Sequence, residues 1–311
     1  MTSTPTLSST SSADARCTDE VILNQWHPIA TAAEMPVGVV QQTLLLGESV
    51  SYAIADDGRT SAWRSRDAIR AGSRFDPAAI PDALPVMTEY LYVWTSLGSP
   101  PATLFEISEF HESDRRNLHA GTLGVHVSAP RAIENFLDMG HFPFVHTDIL
   151  GIEPHTEVVE YEVNIDSGTN DIWATECFFF QPMAAATSLD GQLSEYTYRV
   201  PHPYCVLLYK SCPVDENRRD AIGLFVQPMT AEYVRANMFL SLIDADNTDS
   251  VIRRFQQTIF AQDKPILENQ YPKRLPLDPR AETPIRADKV AIAYRRWLSD
   301  LGVTYGVIPA A

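Results

Sequence analysis

Residues 134–146 read ENFLDMGHFPFVH, and the way this stretch folds decides what the rest of the chain is built around. Asp138 and His141 are three apart, so on a helix they share a face. His146 follows five residues after His141, about 140° further round an ideal helix. The two imidazoles diverge if the helix runs on. Pro143 stands between them. Its ring clashes with the carbonyl of Met139 and it donates no backbone hydrogen bond, so the helix is expected to kink or restart at Pro143. A restarted turn swings His146 toward His141. The stretch then holds either a convergent pair of metal-binding imidazoles or two core histidines at a kink.

Two His leave a metal under-coordinated. A carboxylate is the expected third ligand, in the two-His-one-carboxylate arrangement with open positions for O2. The candidate is Asp263 in FAQDKPILENQ, on a helix flanked by apolar residues; the alternative is a solvated helix charge.

Outward from the motif the pattern is α+β. PRAIENFLDMGH reads as a helix with Pro near its start, after a strand LGVHVSA. The runs EVVEYEVNI, IWATECFFFQPM, SEYTYRVP, YCVLLYKSCPV, AIGLFVQPM and YVRANMFLSLID follow, joined by turn clusters such as DSGTND and DENRRD. Consecutive strands with short turns argue for an antiparallel sheet. NTDSVIRRFQQTIFAQDKPILENQ is a long helix with Asn or Thr as N-cap. KVAIAYRRWLSDLG is a last helix, with Val290, Tyr294, Trp297, Leu298 and Leu301 on one face and Gly302 as its stop. Residues 21–100 read as short strands: a hairpin around Asp57–Gly58, a strand MTEYLYVWTSLG, and a loop-like polar stretch from Arg64 to Glu89. The Ser/Thr-rich start, residues 1–20, reads as a disordered tail without a secretory signal.

Net charge is −16, which argues against nucleic acid and anionic membrane surfaces as partners. No apolar run reaches the ~18 residues of a membrane span. The four Cys (17, 177, 205, 212) show no CxxC spacing and read as reduced thiols of a cytoplasmic protein. Cys177 and Cys205 sit in apolar runs, as small hydrophobes do.

ENFLDMGHFPFVH resembles the mononuclear-iron motif of Rieske-type non-heme iron oxygenases, matching at Glu134, Asn135, Asp138, His141 and His146. QDKPILE resembles the late-helix context of that family's third ligand, which maps to Asp263, and NQWHPIATAAEM resembles its usual opening. The likeness covers nearly all of residues 21–300. It implies a helix-grip (START-like) catalytic domain with a long antiparallel sheet over 101–311. Before it, over 21–100, it implies a shortened Rieske-like β domain. It also implies mononuclear Fe(II) on His141, His146 and Asp263, with Asp138 and Asn135 in catalysis and Asp138 linking the iron site to the electron path.

A Rieske cluster needs two Cys and two His. The family supplies them as Cys-x-His and Cys-x-x-His, and this sequence has neither: Asp19 stands two past Cys17, and Asp215 three past Cys212. The chain is therefore expected to carry no 2Fe-2S cluster, and the electrons must come from elsewhere. RAIENFLDMGHFPFVHTDILG, FQQTIFAQD, PKRLPL and AYRRWL resemble the cluster-lacking branch of methylxanthine N-demethylases in bacterial caffeine degradation. That resemblance implies a small purine alkaloid substrate, O2, and a Rieske-containing NAD(P)H reductase. It also implies a glutathione-transferase-like structural partner and an oligomeric assembly. A flat, acceptor-rich methylxanthine wants aromatic walls and amide donors, for which Gln256, Gln257 and Phe260 are the candidates ahead of Asp263. Phe178, Phe180 and Tyr209 read as core. The competing functions are O-demethylation or hydroxylation of another small aromatic, and a non-catalytic scaffold subunit.

Overall fold

From Ser194 to His202 every second side chain is buried, as in a strand with two unlike faces. The same alternation organises the whole molecule in the computed structural model, which describes residues 16–65, 69–80, 82–183, 191–212 and 215–310. Helix α1 (Glu20–Leu23) precedes β1 (His27–Thr31), β2 (Gln41–Leu45), β3 (Glu48–Ile54), β4 (Thr60–Arg64), β5 (Ala83–Leu84), β6 (Val86–Glu89) and β7 (Tyr92–Thr95). Strand β8 (Arg116–Val125) leads to α2 (Ala129–Leu137) and α3 (Phe142–Val145). Then come β9 (Glu162–Ile165), β10 (Ile172–Gln181), β11 (Gln192–His202), β12 (Cys205–Cys212), β13 (Asp215–Pro228) and β14 (Val234–Leu242). Helix α4 (Asp249–Asn269), β15 (Leu275–Pro276), α5 (Lys289–Asp300) and β16 (Val307–Ile308) follow, with β15 and β16 paired in parallel.

The later strands form one seven-stranded antiparallel sheet, β8-β14-β13-β12-β11-β10-β9. On one face Tyr196, Tyr198, Leu208, Leu224 and Met238 share a core with Ile133 of α2, Leu267 of α4 and Tyr294 of α5. On the other, Leu207, Tyr209, Phe225 and Phe239 pack against Tyr92 and Trp94 of β7. The sheet thus grips helices on one side, and the three-stranded sheet β1-β7-β6 packs on the other; β2-β3-β4-β5 forms a separate four-stranded sheet. This is the α+β helix-grip architecture.

The β10–β11 register slips between Ala174 and Cys177, where Glu176 holds φ 61°. Ile172 and Ala174 are buried ahead of the slip, and Cys177, Phe179 and Gln181 beyond it. A bulge inserts one unpaired residue and so resets which side chains face inward.

Several local expectations shift. MTEYLYVWTSLG is a hairpin, β6–β7, rather than one strand. Its turn residues Tyr90 and Leu91 take φ 49° and 75° without any Gly or Asn to announce them. Of EVVEYEVNI only Glu162–Ile165 is strand. Thr248 is the N-cap of α4. Residues 1–15 of the expected tail lie outside the described residues, but the tail does not extend to residue 20. Cys17 and Asp19 are buried, the Cys17 N–H donates to the Leu46 carbonyl, and the Asp19 carboxylate accepts from Thr304 and Tyr305. All four cysteines are free and buried. No described helix is long and apolar enough to cross a membrane.

Candidate metal centre

Ser128 caps α2 by accepting from the Arg131 N–H, and Pro130 sits in the first turn, where its missing N–H costs nothing. The helix stops at Leu137. Asp138 is its C-cap, with extended backbone (ψ 120°). The break therefore falls at Asp138 and not at Pro143. Pro143 instead lies in the first turn of the restarted helix α3, where proline is favoured. Asp138 and His141 still meet, though across a turn and not along a helical face. Asp138 Oδ1 accepts from the Gly140 N–H at 2.8 Å, and Oδ2 lies 3.0 Å from His141 Nδ1.

The restart brings the two imidazoles together, with His141 Nε2 3.1 Å from His146 Nε2. From α4, Asp263 Oδ1 reaches within 3.3 Å of the first and 3.0 Å of the second. Asp263 occupies a buried face of α4 with Phe260 and Leu267, the i−3 and i+4 positions. These three ligand-type atoms lie within 4.8 Å of one another. Asp263 Oδ1 is buried and has no hydrogen-bond partner among the described residues, despite its short distances to both rings. Three ligand atoms gathered around one point, the carboxylate oxygen among them buried and unpartnered, are what a divalent cation requires, so the residues fit mononuclear iron.

The far nitrogen of each ring is also held. His146 Nδ1 lies 2.9 Å from Gln262 Oε1, an acceptor that fixes Nδ1 as the protonated nitrogen. Asp138 does the same for His141. Burial works against charge on His141, but the hydrogen bond to Asp138 and the neighbouring Asp263 carboxylate outweigh it and push the imidazolium up to about 9. Burial likewise opposes charge on Asp263, and the two His overcome it and lower its pKa. The site is tuned to hold positive charge.

Glu134 of the motif has a different task. It is buried between Arg295 Nε (2.6 Å) and Arg131 Nη1 (2.8 Å), and Glu282 accepts from both guanidinium groups. This four-charge knot fastens α2 to α5. Asn135, Asp138 and His141 line an open cleft of about 450 Å³ beside it. Of the other candidates, Phe260 lies in the core, Gln256 is half-buried, and the exposed Gln257 donates to the Ala120 carbonyl at 2.6 Å. The α4 side chain touching the triad from behind is Gln262. Phe178 is exposed, Phe180 lies tilted against His155 at 4.5 Å, and Tyr209 packs on the side of β7.

Residues 125–303 match the family described as Vanillate O-demethylase oxygenase C-terminal domain. Over 285 residues the chain is 44% identical to the probable methylxanthine N7-demethylase NdmC of Pseudomonas sp. (strain TJI-51), covering 92% of this chain and 96% of that one. A stretch of 137 residues is 25% identical to the oxidoreductase NdmD of Pseudomonas putida, covering 32% of this chain and 23% of that protein. The structure of Pseudomonas putida CBB5 NdmA with caffeine superposes with a TM-score of 0.72 at 22% identity, over 90% of each chain. The sequence match, the shared fold and the His–His–Asp geometry together place this chain in the Rieske-type non-heme iron oxygenase family.

Proposed function

We propose that this chain is the oxygenase component of an O2-dependent N-demethylase that converts 7-methylxanthine to xanthine and formaldehyde. The observation that carries the reading is the convergence of His141, His146 and Asp263 in a chain 44% identical to a probable methylxanthine N7-demethylase. A scaffold subunit has no chemical need for that convergence. His141, His146 and Asp263 hold Fe(II), which when bound supplies the capacity to bind and activate O2. Asp138 and Gln262 keep both imidazoles in the tautomer that offers Nε2. In balance, the N-methyl substrate, O2, NAD(P)H and a proton give the N-hydroxymethyl compound, water and NAD(P)+. The N–CH2OH carbon–nitrogen bond then breaks to release formaldehyde and the ring N–H.

The missing Cys and His pairs mean that the two electrons come from a separate Rieske-containing NAD(P)H reductase, a role supported by the likeness to an oxidoreductase. Asp138 lines the open cleft beside His141 and holds its Nδ1, so in this reading it links the iron site to the incoming electrons. Residues 21–100 are read as a Rieske-like β domain without cluster ligands, and 101–311 as the catalytic domain. An oligomeric cytoplasmic assembly with a glutathione-transferase-like partner belongs to the same proposal. The test is anaerobic purification, iron and acid-labile sulfide analysis, and formaldehyde release with 7-methylxanthine and a competent reductase. One iron per chain, no sulfide and stoichiometric formaldehyde are expected. Release from methoxyarenes alone would replace the reading with O-demethylation, and absence of iron binding would leave the scaffold.

A further inference from the structure

Strand β10 is paired along its whole length on one side only. Toward β9 its register runs from Ile172 to Thr175, while toward β11 it continues to Gln181. Among the described residues no strand covers 177–181 on the β9 side. In an antiparallel strand alternate residues turn both N–H and C=O to the same side, so alternate residues of this stretch aim both groups away from β11. Beside them lies a cavity of about 280 Å³, lined by Phe178, Phe179 and Phe180 of β10 and by Phe142, Leu150 and His155. Consecutive strand residues point to opposite faces, so a cavity touching all three Phe runs along an edge of the strand. Strand β11 fills one edge, which leaves the open one. The far wall is fixed to the iron motif. A side chain at Gly151 would meet the Pro143 backbone nitrogen at 2.7 Å, so only glycine lets residues 150–155 sit this close to α3. Phe142 touches both regions, its ring 5.1 Å from that of His141 and 5.5 Å from that of Phe179.

An open strand edge pairs with whatever presents the matching donors and acceptors. Each outward-turned residue offers an N–H and a C=O side by side, which is the complement of a lactam edge, a ring N–H beside a ring C=O. The cavity is smaller than the ~300–1,000 Å³ sites of drug-sized ligands, so a single small ring system suits it. Its polar groups stand among aromatic rings. Phe180 lies 4.5 Å from His155, and Phe178 is exposed at the rim. Such rings stack on flat heterocycles. We infer that the open edge of β10 is a binding site for a flat lactam heterocycle, bonded to the backbone of residues 177–181 and stacked by Phe178, Phe180 and His155. Resting on the N-demethylase reading, the ligand is the methylxanthine itself, held beside the iron motif at a place distinct from the His–His–Asp triad.

The test is amide hydrogen exchange of the iron-loaded protein, read by mass spectrometry with and without 7-methylxanthine. The outward-turned amides within 177–181 should exchange about tenfold more slowly with the ligand bound. A site that bonds an N–H rejects the analogue that lacks it, so 1,3,7-trimethylxanthine, in which both lactam nitrogens are methylated, should not protect them. Phe178→Ala removes an exposed ring, so it should fold and keep its iron. It should raise the 7-methylxanthine concentration needed for protection about tenfold. If that variant does not fold, His155→Ala takes its place with the same expectation. Protection unchanged in the variant, or equal protection by the trimethylated analogue, overturns the inference. So does lack of protection in a protein that releases formaldehyde from 7-methylxanthine. If no formaldehyde is released, the function proposal fails on its own and uracil becomes the probe. Protection of 177–181 by uracil that the variant weakens then upholds the inference, and its absence overturns it.

Discussion

An imidazole gives a metal one nitrogen, so the contact at its other nitrogen sets its tautomer and basicity. His141 leans on Asp138 and His146 on Gln262. Asp138→Asn should keep most of the iron, because the three proposed ligands remain. It should slow turnover severely, because an amide is a poorer acceptor for the ligand ring; iron content measured beside formaldehyde release checks this. Lost iron would instead promote Asp138 to a ligand. Gln262→Leu should weaken iron affinity by about 10- to 100-fold, read by competition with a chelator. The Asp138–His141 contact was legible in a three-residue spacing, although a turn and not a helix makes it. The Gln262–His146 contact spans 116 positions, and no local pattern carries such a pairing.

At the scale of elements, α2 and α5 are joined by charge as well as by apolar packing. Removing one member of a buried ionic network leaves its partners desolvated and unpaired. Arg295→Met should therefore cost about 3–5 kcal/mol, measured by urea unfolding. A loss below about 1 kcal/mol would show that the knot is solvated. The sheet strands were legible because alternation repeats within each strand. The β6–β7 turn was not, since Tyr90 and Leu91 adopt positive φ without residues that favour it. The knot was half-legible. Arg131 and Glu134 lie one turn apart in sequence, but Glu282 and Arg295 reach them only through the tertiary fold.

Across the whole molecule, the three-stranded sheet β1-β7-β6 meets the large one beside a pair of buried histidines. His27 of β1 and His202 of β11 sit edge to face at 5.9 Å. His27 Nε2 donates to the Ile22 carbonyl and the Tyr204 N–H donates to His202 Nδ1. Burial pushes His27 down from 6.5 to about 4, and burial with the neighbouring His27 pushes His202 well below its usual range. Both stay neutral in the folded protein. As pH falls below 6.5, the unfolded chain takes up protons that the folded chain refuses, so stability drops with acidification until about pH 4. For His27 alone the loss between pH 7 and 5 should be about 2 kcal/mol. Urea midpoints at the two pH values measure it, and His27→Gln should flatten the slope. Nothing in HPIAT marks this His as an inter-sheet residue, because its burial depends on β11, far along the chain.

The bulge at Glu176 also bears on how the chain can evolve. Because a strand alternates its faces, and Ala174 and Cys177 stand three apart opposite a two-residue step of β11, deleting that one residue should close the ladder with Cys177, Phe179 and Gln181 still inward. Iron content should survive, since α3 and α4 are untouched, and binding of 7-methylxanthine should survive with it. The bulge is slack in the strand, a codon that can be lost without turning the lining over. A descendant of this chain could shed it and keep its diet.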